Sequence, residues 1–337
     1  NNRNMICSQE IRAQRTGNRL KKKMLCVGEM MADLVAFPIE KVLLESDYHP
    51  MDSFWVKTGG DAHNNAVDLA RLGNDVIYIG RIGNDIFAQN CLNSLRQAGV
   101  NTDHVVFSSA AEQAKSLILM GHGGTRTFYQ NFGSSAELCF EDINLDVLDQ
   151  VSVLQIGGTF HMERFDGDGA VRLLWEAKSR GIITSLDVTM DRTGRWNSLL
   201  EPYYPYLDYF MPSIEQAVEI TKRERFDEMA DFLLERGVKN VIIKAGSDGA
   251  FFKNAQEAFS CGCYKVPVAD TTGAGDAFVA GYLAAMQRGF TPQQGLEFAT
   301  ACSAQVIQQV GATSGMKSFE EIMDFIRRSP KLEITRH

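Results

Sequence analysis

From Met24 onward the chain repeats one unit: a short apolar run, then a helix-period segment that ends on glycine. Residues 25–27 are apolar and stop at Gly28, as a buried strand does. Ala62, Ala66, Leu69 and Ala70 fall at i, i+4, i+7 and i+8, one face of a helix over 62–72. Gly73 follows where a helix C-terminus favours a left-handed residue. The pattern continues with a strand at 76–79 and a helix at 86–98 closed by Gly99. Further strands are expected at 151–156, 182–187, 209–211 and 241–244, and helices at 170–180 and 228–236, closed by Gly181 and Gly237. Two helices, near 274–287 and 292–309, complete the core. Alternating strand and helix predicts an α/β fold, a doubly wound, mostly parallel sheet with helices on both faces.

Two stretches depart from this rhythm. Residues 34–58 and 104–130 lack a helical period and hold short β-prone pieces at 54–57, 116–120 and 127–129. They predict a small β-sheet, a lid built from two insertions into one α/β unit that spans 24–330.

Charge sets residues 1–23 apart. Seven basic residues against Glu10 give them a net +6, so the formal −8 of the whole chain leaves −14 for the remainder. A body this acidic offers no basic stripe to a phosphate backbone, so nucleic acid is not an expected partner. The first segment has no apolar core of a secretory signal and reads as a dispensable basic leader or a transit peptide. The seven Cys are scattered without any C-x-x-C, so neither a disulfide framework nor a zinc site is expected. A reduced, cytoplasmic protein is the reading, or an organellar one if the leader is a transit peptide. The longest apolar stretch, 277–286, falls well short of the ~20 residues that span a bilayer, so no membrane is expected either.

Absent motifs narrow the chemistry further. No Gly-Lys pair occurs, which removes a Walker-type phosphate loop, and neither G-x-S-x-G nor H-E-x-x-H is present. The turn after the first strand reads G-E-M-M-A-D, not the G-x-G-x-x-G of a dinucleotide-binding oxidoreductase. The six His stand apart and read as packed or surface residues. Residues 270–278, D-T-T-G-A-G-D-A-F, make a glycine-rich turn into the helix that begins near Ala274. Such a turn presents unpaired N–H groups and the positive end of a helix dipole to phosphate oxygens. Asp276 adds a carboxylate in the first helical turn. A negative charge beside an anion hole suits the removal of a proton from an attacking hydroxyl. The plainer alternative is that Asp276 only caps the helix.

The nonapeptide resembles the C-terminal signature of the ribokinase-like (PfkB) carbohydrate kinase family. Gly59-Gly60-Asp61-Ala62-His63-Asn64-Asn65-Ala66 is similar to that family's N-terminal G-G-x-x-x-N-x-A. Gly28 with Asp33, Gly83-Asn84-Asp85 and Lys244-Ala245-Gly246-Ser247-Asp248-Gly249 follow in family order, so the likeness runs from Gly28 to Gly315. It implies a ribokinase-like fold with a small β-lid, and ATP-dependent phosphorylation of a primary hydroxyl on a small sugar or sugar acid. By position, Asp276 matches the general base, and the amides of Gly273, Ala274 and Gly275 match the anion hole. Asp33, Gly59, Gly60, Asp61 and Asn64 match the sugar side. Lys244, Gly246, Asp248, Gly249, Ser213 and Gly311 match the nucleotide side, with ATP and Mg²⁺ as cofactors. Asp270 and Thr272, with carbonyls near 306–311, match a monovalent-cation site, so activation by K⁺ is expected. A second copy of the chain, paired through the lid as a homodimer, is the one protein partner considered.

The residue chemistry is consistent with these roles. Gly59-Gly60 lets backbone approach a hydroxylated ligand, and Asp33 with Asn64 offers the acceptors and donors that vicinal diols need. The chain also departs from the family pattern. Ser213 and Gln216 stand where Asn and Glu are common, Asp61 where ribokinases proper tend to carry Lys, and 187–191 lack the Asn and Arg of D-x-N-x-R. Arg126 and Arg192 are read first as surface residues, with contact to an acidic or phosphorylated substrate as the alternative. The alternatives are a nucleoside kinase of the same family and, from another class, a catalytically silent sugar-binding regulator, which the intact Asp276 argues against.

Overall fold

The computed structural model describes residues 23–42, 48–122 and 125–337. Residues 1–22, nearly all of the expected leader, lie outside the described residues, while Lys23 opens the first strand.

The chain enters with β1 (Lys23–Gly28), leaves for an antiparallel pair, β2 (Met31–Phe37) and β3 (Ser53–Gly59), and returns through helix α1 (Asp61–Arg71) to β4 (Val76–Ile79). A two-stranded ribbon, β5 (Arg81–Ile82) and β6 (Val106–Phe107), brackets α2 (Ile86–Gln97). Next, β7 (Lys115–Met120) pairs with β2, and β8 (Arg126–Asn131) pairs with β7. Then come β9 (Val151–Thr159), α3 (Asp168–Ser179), β10 (Ile183–Val188) and β11 (Tyr209–Phe210). These lead to α4 (Ile214–Thr221), α5 (Phe226–Leu234) and β12 (Asn240–Lys244). The last part holds β13 (Ala250–Asn254), β14 (Ala258–Cys261), α6 (Ala274–Gln287), α7 (Pro292–Val306), α8 (Phe319–Arg328) and β15 (Ile334–Arg336).

Among the described residues the large sheet has nine strands in the order β15-β14-β13-β12-β11-β10-β9-β1-β4. Neighbours from β4 to β12 run parallel, and those from β12 to β15 antiparallel. The doubly wound α/β expectation therefore holds. Strand β1 shows why it was readable. Met24 and Cys26 pack into the core under α1, α6 and α7, while Leu25 and Val27 pack into the opposite core with α3 and α5. A strand buried on both faces reads as a continuous apolar run. The antiparallel edge and α8 were not anticipated, and the domain end expected at 330 is passed by β15, which pairs with β14.

The small sheet has the order β3-β2-β7-β8. It starts at Met31 and ends at Asn131, wider than the expected 34–58 and narrower than 104–130, because β6 pairs with β5 instead. Register sorts its side chains by face. Asp33 lies opposite Ser116 and Ser116 opposite Gln130, and all three line one cleft. One residue on, Leu34 lies between Val56 and Leu117, and Leu117 opposite Tyr129, in an apolar row on the other face. Period-2 alternation requires this division.

Candidate active site

A cleft of about 890 Å³ opens between the small sheet and the C-terminal ends of the parallel strands. Ligands of open α/β sheets bind at such strand ends. One wall is the turn into α6. Gly273 there has φ 77, and a Cβ on it would sit 2.1 Å from Ala312 O, so only glycine fits. Gly273, Ala274 and Gly275 all line the cleft, although the Ala274 amide donates to Thr271 O at 3.3 Å. Lys244, at the end of β12, brings its ammonium beside Gly275, where a Cβ would lie 3.3 Å from Nζ. The same ammonium pairs with Asp187 Oδ2 at 2.6 Å, from the end of β10. A cation and helix-terminal amides together make an anion site.

Asp276 occupies the first turn of α6 and is buried. Its Oδ2 accepts from Asn64 Nδ2 at 2.7 Å, and its backbone carbonyl accepts from Asn65 Nδ2 at 3.1 Å. Two neighbouring residues of α1 thus fix the carboxylate and its backbone. Burial, then the charges of Asp61 and Asp187, pushes Asp276 well above the ordinary carboxylate range, against the Asn64 hydrogen bond and Lys244. Such a group is a stronger proton acceptor than a surface aspartate.

Acidic groups gather on the other side of the cleft. Asp33 is pushed to about 7 by burial, then by Glu29 and Asp270. Asp61 is raised to about 7 by burial, Asp187 and Glu29, with His161 and Lys244 opposing. Glu29 is buried and holds His161 Nδ1 at 3.0 Å, and the imidazole stacks on Phe132 at 4.1 Å. Burial pulls His161 down, but the charge and hydrogen bond of Glu29 and the charge of Asp61 outweigh it, leaving a raised pKa. A pH dependence of stability follows. Unfolded aspartate titrates near about 4, so the stability these protonated carboxyls lend is complete below that value and is lost as pH rises toward 7. The melting temperature should fall by on the order of 5 °C between about pH 5 and 7.5, and less in Asp61→Asn. A midpoint rising with pH across that window would contradict these environments.

The turn before Gly273 is tied down by Asp270. Its Oδ1 accepts from the Thr272 amide at 2.9 Å and hydroxyl at 2.7 Å, and its Oδ2 from the Gly311 amide at 2.9 Å. Arg126, the first residue of β8, reaches across to Thr272 Oγ1 at 2.7 Å and Asp270 Oδ1 at 3.3 Å. Arg126 and Arg192 are exposed, as the surface reading expects, and both line the cleft.

The sequence profile of the pfkB family carbohydrate kinases matches residues 21–318. The chain belongs to that family. A 5-dehydro-2-deoxygluconokinase of Clostridium perfringens is 28% identical over 319 residues, covering 90% of this chain and 92% of its own. A ribokinase of Schizosaccharomyces pombe is 29% identical over 296 residues, covering 80% and 87%. In fold, the chain is similar to an Arabidopsis thaliana ribokinase solved with ribose and ATP, with a TM-score of 0.80 at 20% identity over 92% of this chain and 100% of that one.

In this pfkB kinase most residues singled out from sequence reach one place. Asp33, Gly60, Asp61 and Asn64 line the cleft on one side, and Lys244, Gly246, Gly249 and Ser213 on the other, with Thr272 and Asp276 between. Gly59 stands behind the wall, where a Cβ would lie 2.2 Å from Asp33 Oδ2, so its role is to make room for that carboxylate. Asp248 sits in the short turn 246–248 without lining the cleft, and Gly311 serves by binding Asp270. Ser213 and Gln216 form a capping box on α4, which explains those two residues locally. Sequence reasoning missed Glu29, His161 and Asp187, and for Arg126 it missed the contact with the turn before Gly273. Asp187 carried a signal, a carboxylate at the end of an apolar strand, whereas His161 carried none.

Proposed function

We propose that this pfkB kinase transfers the γ-phosphoryl group of ATP to a primary hydroxyl of a small sugar or sugar acid. The observation that carries the reading is the Asp276 carboxylate, set at the N-terminus of α6 with Asn64 on one side. The acceptor hydroxyl gives its proton to Asp276, and its oxygen then attacks the terminal phosphorus in line with the leaving ADP oxygen. Gly273 and Gly275 amides and Lys244 face the charge that develops on the equatorial oxygens. Asp33, Asp61 and Asn64 hold the remaining hydroxyls. When bound, Mg²⁺ neutralises nucleotide phosphates. The residues fit an ion that arrives on its nucleotide and keeps one or two carboxylates near, since Glu215 and Asp187 both line the cleft. The small sheet covers the acceptor and keeps water from competing for the phosphoryl group.

Support for a sugar over a nucleoside comes from the cleft face of the small sheet. Asp33, Ser116 and Gln130 outnumber Met31 and Phe128 there, a face suited to hydroxyls more than to a base. Measuring ADP release against a panel of sugars, sugar acids and nucleosides tests the reading. The expected result is a sugar or sugar acid with the highest kcat/KM. A nucleoside surpassing every sugar, or ADP release indifferent to acceptor, would overturn it.

A further inference from the structure

We infer that Arg126 stands in for the monovalent cation expected at Asp270 and Thr272, so that the positive charge shaping the anion turn arrives with the small sheet and not from solution. The inference rests on the kinase reading of the cleft, and it begins from a misfit. A bare cation needs several oxygens free to face it. Asp270 is buried, and its two carboxylate oxygens accept four donors from the chain itself: the Thr272 amide and hydroxyl, the Gly311 amide and the Arg126 guanidinium. The carbonyl of Ile307, within the stretch expected to supply further ligands, accepts from the amides of Ala269 at 2.8 Å and Asp270 at 3.2 Å. A potassium ion bound to Asp270 Oδ1 would also lie against a guanidinium already 3.3 Å from that atom. Like charges at such a distance repel, and arginine keeps its charge at any physiological pH.

The guanidinium does what an ion there would do. It compensates Asp270 and donates to the Thr272 hydroxyl oxygen at 2.7 Å, while that hydroxyl donates to Asp270 Oδ1 at 2.7 Å. The Asp270–Thr272 turn is thereby closed on itself immediately before Gly273, whose amide fronts the phosphate site. There is one difference in kind. Arg126 belongs to β8 of the small sheet and Asp270 to the large unit, 144 residues away. A dissolved ion is present whether the sheet is open or shut, whereas Arg126 reaches the turn only with the sheet in place. The opposite edge of the sheet touches the same region, since Lys57 of β3 lies 3.4 Å from where a Gly311 Cβ would be. Closure over the acceptor and ordering of the anion turn become one event.

The test compares wild type, Arg126→Lys and Arg126→Ala in KCl, NaCl and choline chloride at equal ionic strength. Two readouts are taken: kcat/KM for ATP, and the melting temperature without substrates. Wild type should show the same kcat/KM in all three salts within about twofold, and no melting shift specific to K⁺. Arg126→Ala should lose about 10- to 150-fold in kcat/KM for ATP, the worth of a charge-assisted hydrogen bond. With the turn unfilled, its melting temperature and residual activity should rise in K⁺ over choline. Arg126→Lys should recover part of the loss. A wild-type protein whose activity or melting temperature rises with K⁺ over both other salts overturns the inference, as does an Arg126→Ala protein with unchanged ATP use. The melting readout needs no turnover, so it decides the question even if the kinase reading fails, and K⁺ activation of wild type would leave that reading standing.

Discussion

Asp276→Asn should fold as the parent does and lose about 10²- to 10⁴-fold in turnover, the usual worth of a positioned general base. The substitution preserves shape, and the amide oxygen can still accept the 2.7 Å bond from Asn64. It removes a charge from a buried position flanked by Asp61 and Asp187, so no stability should be lost and some should be gained above neutral pH. KM for either substrate should change little, because the carboxylate acts on a proton in flight and not on the bound nucleotide. Burial raises the pKa of Asp276, and a base works only when deprotonated, so wild-type turnover should rise with pH through an acid limb that the Asn variant lacks. Turnover near the wild-type value in a folded Asp276→Asn protein would remove Asp276 as the base.

Asp33→Ala should weaken acceptor use, read as kcat/KM, by about 10- to 150-fold, from roughly 1.5–3 kcal/mol per charge-assisted hydrogen bond. The effect should fall on the acceptor alone. Asp33 is carried by β2 of the small sheet, whereas Lys244 and the α6 turn belong to the large unit. Nucleotide affinity, measured by titration calorimetry, should therefore hold. Above neutral pH the melting temperature should not fall, since burial, then Glu29 and Asp270, oppose the ionisation of Asp33 there. A folded variant that loses ATP binding as steeply as acceptor use would sink the assignment of Asp33 to the sugar.

The parallel strands were legible because each is buried on both faces and bounded by glycine, as β1 shows. The antiparallel edge was not, because β13 and β14 are short and mix Phe with Lys, Asn and Ser. Helix α4 carried its own start signal, Ser213 and Gln216 in a capping box, which was read as a departure from a family pattern. In the site, Asp276 and Asn64 were legible because motif and spacing mark both, though their direct bond was not foreseen. Glu29, His161 and the bond of Arg126 to the α6 turn were hidden for a different reason. Their partners are set by which strand ends the topology brings together, and no local pattern encodes a contact between β8 and the α6 turn.

Alternation in the small sheet also governs where this chain can tolerate gain or loss of residues. Asp33, Ser116 and Gln130 share one parity along β2, β7 and β8, and Leu34, Leu117 and Tyr129 hold the other. Removing a single residue within β2 ahead of Asp33 would turn Leu34 toward the acceptor and Asp33 out among the apolar row, since a one-residue slip reverses every side chain of a strand. Point changes in these strands retune the pocket, whereas indels within them exchange its two faces. Length variation among relatives should therefore collect in 38–52 and 121–125, the connections between β2 and β3 and between β7 and β8.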